Sequence, residues 1–266
     1  YLEILKEEGL EAWIELPLWD PTPDEDAQER MLNEFRRIVL QYRHHDNILL
    51  WTCGCELSTS TTSDFRRRLV ETVKELTGSP LVKDNSGGAE MYGGDLLEFG
   101  DFDDYHPYCD TPFYPTVLDS LLPRPHSTRP LFLGEFNDYD MSRDLRDLAE
   151  KSPYWMSLDP TLNAQGVRWQ HELPAIVAEN GWAADRLCAW IRSSHSKSEF
   201  IRQWVYEQVR SRPEISGFVI TGISDTPIST SGFFDSEGRC KGLQWFSNCP
   251  GLVGFLIPHR RPPWIV

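Results

Sequence analysis

The chain has no apolar run near the ~20 residues that a membrane-spanning helix requires, so no such helix is expected. It also lacks a phosphate-binding glycine loop. The segment NSGGAEMYGGD (85–95) is rich in glycine, but it has no GxGxxG spacing and no helical pattern follows it, which sets nucleotide binding aside. CxxC pairs and Cys/His ladders with zinc spacing are missing. The six cysteines, at 53, 55, 109, 188, 240 and 249, are scattered. Cys53 and Cys55 lie two apart in one apolar stretch and are expected reduced and buried, and cysteine usage points to no particular compartment. No metal and no organic cofactor is expected. A metal-dependent hydrolase would need His-x-His or a lysine at a strand end, and His44–His45 lies between a helix and a strand instead. Basic charge is scarce as well: 26 Lys and Arg face 41 Asp and Glu, a formal charge of -15. That balance argues against nucleic acid or an anionic membrane as a partner. The basic runs FRRRL (65–69) and PHRRPP (258–263) are short and read as solvated faces. A signal-peptide pattern is absent from the opening YLEILKEEGLEAW, which has no Met and is already helical, so it reads as part of a longer chain.

What is present is an apolar and aromatic inventory, 40% and 12% of 266 residues, sufficient for one large core. Helical and strand patterns alternate. YLEILKEEG stops at Gly9, a helix C-terminal signal. The strand LEAWIELPLW follows. Residues 27–45 return to helical period with Met31, Leu32, Phe35, Ile38 and Val39 on one face. NILLWTCG is the next strand. The helix at 62–78 is capped by Thr or Ser before Asp64 and ended by Gly78. PLVKDN, DFDDYHPY, PLFLGEF and ISGFVITGISD complete six strands, and the helix KSEFIRQWVYEQVRSRP (197–213) precedes the last of them. A long aromatic-rich insertion is expected over 138–195. Alternation of this kind predicts an α/β fold of parallel strands with right-handed crossovers, and strands apolar nearly throughout predict cover on both faces. A doubly wound sheet and a (β/α)8 barrel both satisfy the pattern.

Polar residues gather at the C-terminal ends of these strands: Glu56, Asp84 and Asn85, His106 and Tyr108, Glu135 and Asn137, and Asp225. In a barrel those ends share one face, where active sites are built. Glu56 and Glu135 each follow an apolar strand. Two carboxylates across a pocket suit glycosidic cleavage, in which one donates a proton to the leaving oxygen and the other attacks the anomeric carbon or activates water.

Several segments carry a resemblance, in the right order over residues 1–245. RHHDNILLWTCGCELS (43–58) resembles the R-x-H-P-S-I-I-x-W-S-x-G-N-E signature of glycoside hydrolase family 2, within the clan A glycoside hydrolases. KEEGLEAWIELPLW (6–19) resembles that family's W-x-E-x-P strand, and RPLFLGEF (129–136) its K-P-x-x-x-x-E-Y strand. ISGFVITGISD with GFFDSEGRCK (232–241) resembles its last strand and the G-x-x-D-x-x-G-x-x-K after it. The resemblance implies a TIM-barrel catalytic domain whose first two strands precede Tyr1, so that this stretch is not expected to close a barrel alone. Residues 246–266 are then a tail or the start of a following domain. It implies a retaining glycoside hydrolase acting on a carbohydrate, with Glu56 as acid/base and Glu135 as nucleophile. His106 and Tyr108 would lie in the pocket, with the tyrosine hydrogen-bonded to the nucleophile.

Two departures stand out. The family places Asn before the acid/base, where it holds the sugar's 2-hydroxyl; here that position is Cys55, and a thiol donates weakly. The last strand lacks the clan's tryptophan, and Asp225 is a candidate for part of that sugar contact. Trp19, Trp155 and Trp169 are candidate stacking faces, whereas Glu15, at the family's acidic position in its strand, could bind a hydroxyl or pair with an arginine and reads as structural. The competing reading is a non-catalytic, carbohydrate-binding homologue of the same fold, which Cys55 favours. The sugar, the linkage and the oligomeric state have no readable code.

Overall fold

The computed structural model describes residues 1–19, 24–58, 60–78, 81–87, 99–122, 128–144, 150, 175–227 and 229–241. Trp155, Trp169, the run at 258–263, the tail at 246–266, most of the glycine-rich segment and much of the insertion at 138–195 lie outside them. The described chain is α/β and forms two compact units. The first comprises Tyr1–Phe136 with Arg212–Val219; the second comprises Asn137–Ser211 with residues 220–241. Among the described residues no helix is long and apolar enough to cross a membrane.

In the first unit all six expected strands form. Helix α1 (Leu2–Glu7) leads to β1 (Ala12–Glu15), α2 (Glu25–Tyr42), β2 (Ile48–Thr52), α3 (Ser63–Thr77) and β3 (Leu81–Lys83). Then come β4 (Asp103–Tyr105), α4 (Tyr114–Leu121), β5 (Leu131–Phe136) and, after α5 of the second unit, β6 (Ile215–Ile220). The strands make two three-stranded sheets, ordered β1-β2-β3 and β4-β5-β6. The pairings β1–β2, β2–β3 and β4–β5 are parallel, as right-handed crossovers through helices require. Register aligns Glu15 with Thr52, and Thr52 with Lys83, so these three strands end level.

Local chemistry explains the helix ends. Asp24 caps α2 by accepting from the Ala27 N–H at 2.7 Å, and Thr62 caps α3 by accepting from that of Phe65 at 3.4 Å. Gly78 closes α3 in the left-handed region at φ 75°. The predicted stripe of α2 is the one buried: Leu32, Phe35 and Val39 join Phe65, Leu69 and Val73 of α3 over Trp51, Cys53 and Val82. Each such side chain fully buried contributes about 1.5–3 kcal/mol. Between the sheets, Trp13 meets Phe102 and Phe132 edge-on at ring centroid distances of 5.4 and 5.8 Å.

The run FRRRL is not a uniformly solvated face. Arg67 and Arg68 lie on the outer side of α3, but Arg66 is buried and its Nη1 is 2.9 Å from Asp84 Oδ2. Helical period turns one arginine of the three inward. Asp84 also takes Lys83 Nζ, which reaches the Phe99 carbonyl at 3.2 Å. One buried carboxylate thus pairs with two buried cations directly beneath the ends of β2 and β3.

The second unit is organised by α5 (Ala184–Arg210), which begins well before the expected 197. Its early residues are mostly exposed or half-buried, with a short apolar stripe of Leu187, Trp190 and Ile191 inside the stretch expected to be an insertion. Arg202, buried, donates to the Ser231 carbonyl at 2.6 Å and to Asn137 Oδ1 at 3.3 Å. Burial lowers its pKa to about 10, against the nearby charges of Asp138, Asp225 and Asp140.

Candidate functional site

The site is built where β2, β3, β4 and β5 end. Beyond Thr52 the chain remains laced into its neighbours. Cys53 N–H donates to the Lys83 carbonyl at 2.9 Å, Cys55 N–H to that of Leu18 at 2.9 Å, and Glu56 N–H to that of Ser86 at 2.8 Å. Asn85 supports the same turn from below, accepting the Leu57 N–H at 2.7 Å and donating to the Gly87 carbonyl at 2.6 Å. Held this way, Glu56 adopts φ 49°, a left-handed conformation that non-glycine residues seldom take and that costs of order 1–3 kcal/mol. The turn aims its carboxylate at the residues following β4.

There His106, fully buried, occupies the centre. Its Nδ1 lies 3.0 Å from Glu56 Oε1 and 3.8 Å from Glu135 Oε2. Its Nε2 lies 2.9 Å from Ser86 Oγ, which donates to Asp104 Oδ2 at 2.6 Å. Because that hydroxyl proton points at Asp104, the imidazole N–H must be the donor to Ser86. Asp104 Oδ1 in turn accepts the Gly134 N–H at 2.6 Å. Burial lowers the His106 pKa, but the hydrogen bond to Glu56 and the charges of Asp104, Glu135 and Glu56 outweigh it and bring the value up to about 9. The imidazole is therefore cationic at neutral pH. Burial raises Asp104 to about 6, opposed by His106, Ser86 and the Gly134 amide.

Glu135, on β5, receives the Tyr108 hydroxyl on Oε2 at 2.7 Å, and the Cys55 thiol faces its Oε1 at 3.9 Å. Burial, with Glu15 and Glu135 close by, pushes the Cys55 thiol far above its usual range, so it stays protonated. Glu15 closes the group from β1. It opens to solvent, yet surrounding protein and the Glu135 charge raise its carboxyl to about 7, with the Cys55 thiol as a hydrogen-bond partner.

Five of the residues singled out from the sequence thus come together: Glu56, Glu135, His106, Tyr108 and Cys55. Cys53 and Cys55 are buried and unbridged. Asn85 is buried under the Glu56 turn with its amide committed to backbone, and Asp84 holds Arg66 and Lys83. Trp19 is 68% exposed at the rim, with the Cys55 thiol as a hydrogen-bond partner. Asp225 belongs to the second unit, where it pairs with Lys241 at 2.7 Å and accepts the Gly232 N–H at 3.1 Å. Asn137, also of that unit, lies with Arg202.

Sequence reasoning missed two members. Glu15 has no arginine partner among the described residues and faces the carboxylate group instead. Asp104, the end of the histidine relay, was detectable: strand alternation puts residues 104 and 106 on one side, with Asp103 turned toward Arg129 at 3.7 Å. A third arrangement had no sequence signal. Cys55 Sγ, a His106 nitrogen and a Glu135 oxygen all lie within 4.8 Å of one another, a set able to hold a metal ion.

No family model matches the chain. Among solved structures, the chain is similar to Bifidobacterium dentium β-glucuronidase complexed with coumarin-3-O-glucuronide, with a TM-score of 0.65 and 12% identity over 99% of this chain and 40% of that one. It is also similar to β-D-mannosidase from Dictyoglomus thermophilum, at 0.61 and 16%, covering 92% of this chain and 32% of that one. Bacteroides uniformis β-glucuronidase 2, in a calcium-binding mutant form, follows at 0.57 and 17%, covering 90% and 27%. The chain therefore spans well under half the length of each of these proteins, and at such identities the likeness establishes a shared fold.

Proposed function

We propose that the protein is a retaining glycoside hydrolase whose six strands belong to a (β/α)8 barrel, with Glu56 as acid/base and Glu135 as nucleophile. The observation that carries this reading is the convergence of both carboxylates on His106, at 3.0 and 3.8 Å. A common neighbour at those distances bounds the two facing oxygens at about 7 Å apart, which accommodates the ~5–5.5 Å between carboxyl groups in a retaining pair. The fold shared with glycosidases adds support.

In the proposed reaction Glu56 gives its proton to the leaving oxygen while Glu135 attacks the anomeric carbon, forming a covalent glycosyl-enzyme. The proton that Glu56 delivers is the one it shares with His106 Nδ1 across 3.0 Å, so the pair gives up one proton in this step and regains it from water in the next. Tyr108 holds Glu135 in line by its hydrogen bond at 2.7 Å. Glu56, now ionised, takes a proton from water, and the hydroxide equivalent releases the sugar.

The test is hydrolysis of aryl glycosides by the full chain. Glu135→Gln abolishes turnover, and Glu56→Ala loses it on poor leaving groups but regains it on activated ones with azide. Turnover that survives Glu135→Gln removes the nucleophile and the mechanism together. Sugar binding without hydrolysis, indifferent to both glutamates, would establish the non-catalytic homologue instead.

A further inference from the structure

We infer that Cys55, His106 and Glu135 form a binding site for a thiophilic divalent cation, zinc being the natural occupant, and that its occupation blocks the nucleophile. The three ligand atoms lie within 4.8 Å of one another. Two of the separations are 3.9 Å, from Sγ to Glu135 Oε1, and 3.8 Å, from Nδ1 to Glu135 Oε2. Zinc bonds of about 2.0–2.3 Å in tetrahedral array set ligands roughly 3.3–3.7 Å apart. The two separations run to different oxygens of one carboxylate, so binding requires one Glu135 oxygen to turn toward the ion and the ligands to draw in around it. A thiolate, an imidazole and one carboxylate select zinc-like ions over magnesium or calcium, which require all-oxygen shells.

Two further features favour a cation. The histidine is already oriented as a metal ligand: its Nε2–H donates to Ser86 Oγ, which donates to Asp104, and this relay leaves Nδ1 facing the cluster. The surroundings are also acidic, with the Glu15 and Glu56 carboxyl groups beside the three ligand atoms. The cost falls on the reaction: a metallated Nδ1 no longer donates to Glu56, and Glu135 is no longer free to attack. The binding site rests on geometry alone, whereas its effect on turnover rests on the glycosidase reading.

The experiment is titration of the purified, chelator-treated full chain with cobalt(II), followed by zinc. One equivalent of cobalt is expected to produce the near-ultraviolet charge-transfer absorption of a thiolate ligand, and zinc to bleach it. Cys55→Ser and Cys55→Asn, checked for native circular dichroism, lose the band. The combined Cys109→Ser, Cys188→Ser and Cys240→Ser variant keeps it. Glu3, His44 and His45 also group together but offer no sulfur and no such band. Zinc inhibits hydrolysis by the wild type, and whatever activity Cys55→Ser retains is at least tenfold less sensitive. A wild type without the band, or a band that survives loss of Cys55, overturns the site. Cobalt bound through Cys55 in a chain that hydrolyses no glycoside would keep the metal site and discard the glycosidase reading.

Discussion

His106 Nδ1 stands 3.0 Å from Glu56 Oε1, joining a buried cation at the end of β4 to a carboxylate delivered 50 residues earlier by a strained turn. This pairing sets the proposed acid/base in a charge-assisted hydrogen bond, with one proton shared between carboxylate and imidazole. Charge-assisted hydrogen bonds are about twice as strong as neutral ones.

Replacing His106 by Gln keeps an N–H donor but removes the charge. The difference between charged and neutral bonds, about 1–1.5 kcal/mol, corresponds to roughly a tenfold fall in kcat/KM. His106→Ala, with no donor, is expected to lose about a hundredfold. Initial rates on an aryl glycoside read both; rates equal to wild type would remove His106 from the reaction.

Gly134 has no room for a side chain. A Cβ there would lie 2.6 Å from both Asp104 carboxylate oxygens and from Ser86 Oγ, in the middle of the histidine relay. Gly134→Ala is expected to cost about 1–3 kcal/mol of stability and to lower turnover as well. Gly78→Ala is the control: at φ 75° its Cβ meets nothing within 4 Å, so it costs about 1 kcal/mol of backbone strain and leaves turnover alone. Urea unfolding and initial rates separate the two; equal losses in both variants would show that the relay does not matter.

Asp84→Ala removes the carboxylate that pairs with both buried Arg66 and buried Lys83. Breaking a buried pair from one side costs about 3–5 kcal/mol, a large share of a domain's stability. Chemical denaturation of the full chain should show this as a lower midpoint. A change under about 1 kcal/mol would mean that water reaches the cations.

Glu15 ties stability to pH. Its carboxyl titrates near 7 in the folded chain, raised by burial and by Glu135, against a reference of 4.5. A folded pKa above the unfolded one means that ionisation opposes folding. The opposition begins as pH rises through the reference value and is complete above about 7. Glu15→Gln should therefore raise Tm at about pH 8 and leave it unchanged at about pH 4, measured with chelator present. A gain of the same size at both values would trace the effect to packing.

The elements were legible because their determinants are local. Asp24, Thr62 and Gly78 mark helix ends by chemistry within one turn, and the stripe Leu32, Phe35 and Val39 declares a buried face over two turns. The early half of α5 was missed because its short stripe, Leu187, Trp190 and Ile191, stood within a segment read as an aromatic-rich insertion. Glu56, Glu135, His106 and Tyr108 were marked out by type and by their position at strand ends. Glu15 was misjudged because an acid at a strand end looks the same whether an arginine or another carboxylate faces it.

The sequence by itself determined the six strands and the helices between them, and with those crossovers the parallel sense of β1–β2, β2–β3 and β4–β5. Tertiary structure alone decided which residues meet at the strand ends. Cys55 and Glu135 are 80 residues apart in sequence, yet the thiol lies 3.9 Å from the carboxylate. Likewise Ser86, after β3, joins the β4 pair Asp104 and His106, and the group Cys55, His106 and Glu135 draws each member from a different strand. No spacing along the chain encodes such a set, because register and side-chain direction are settled only when the core packs.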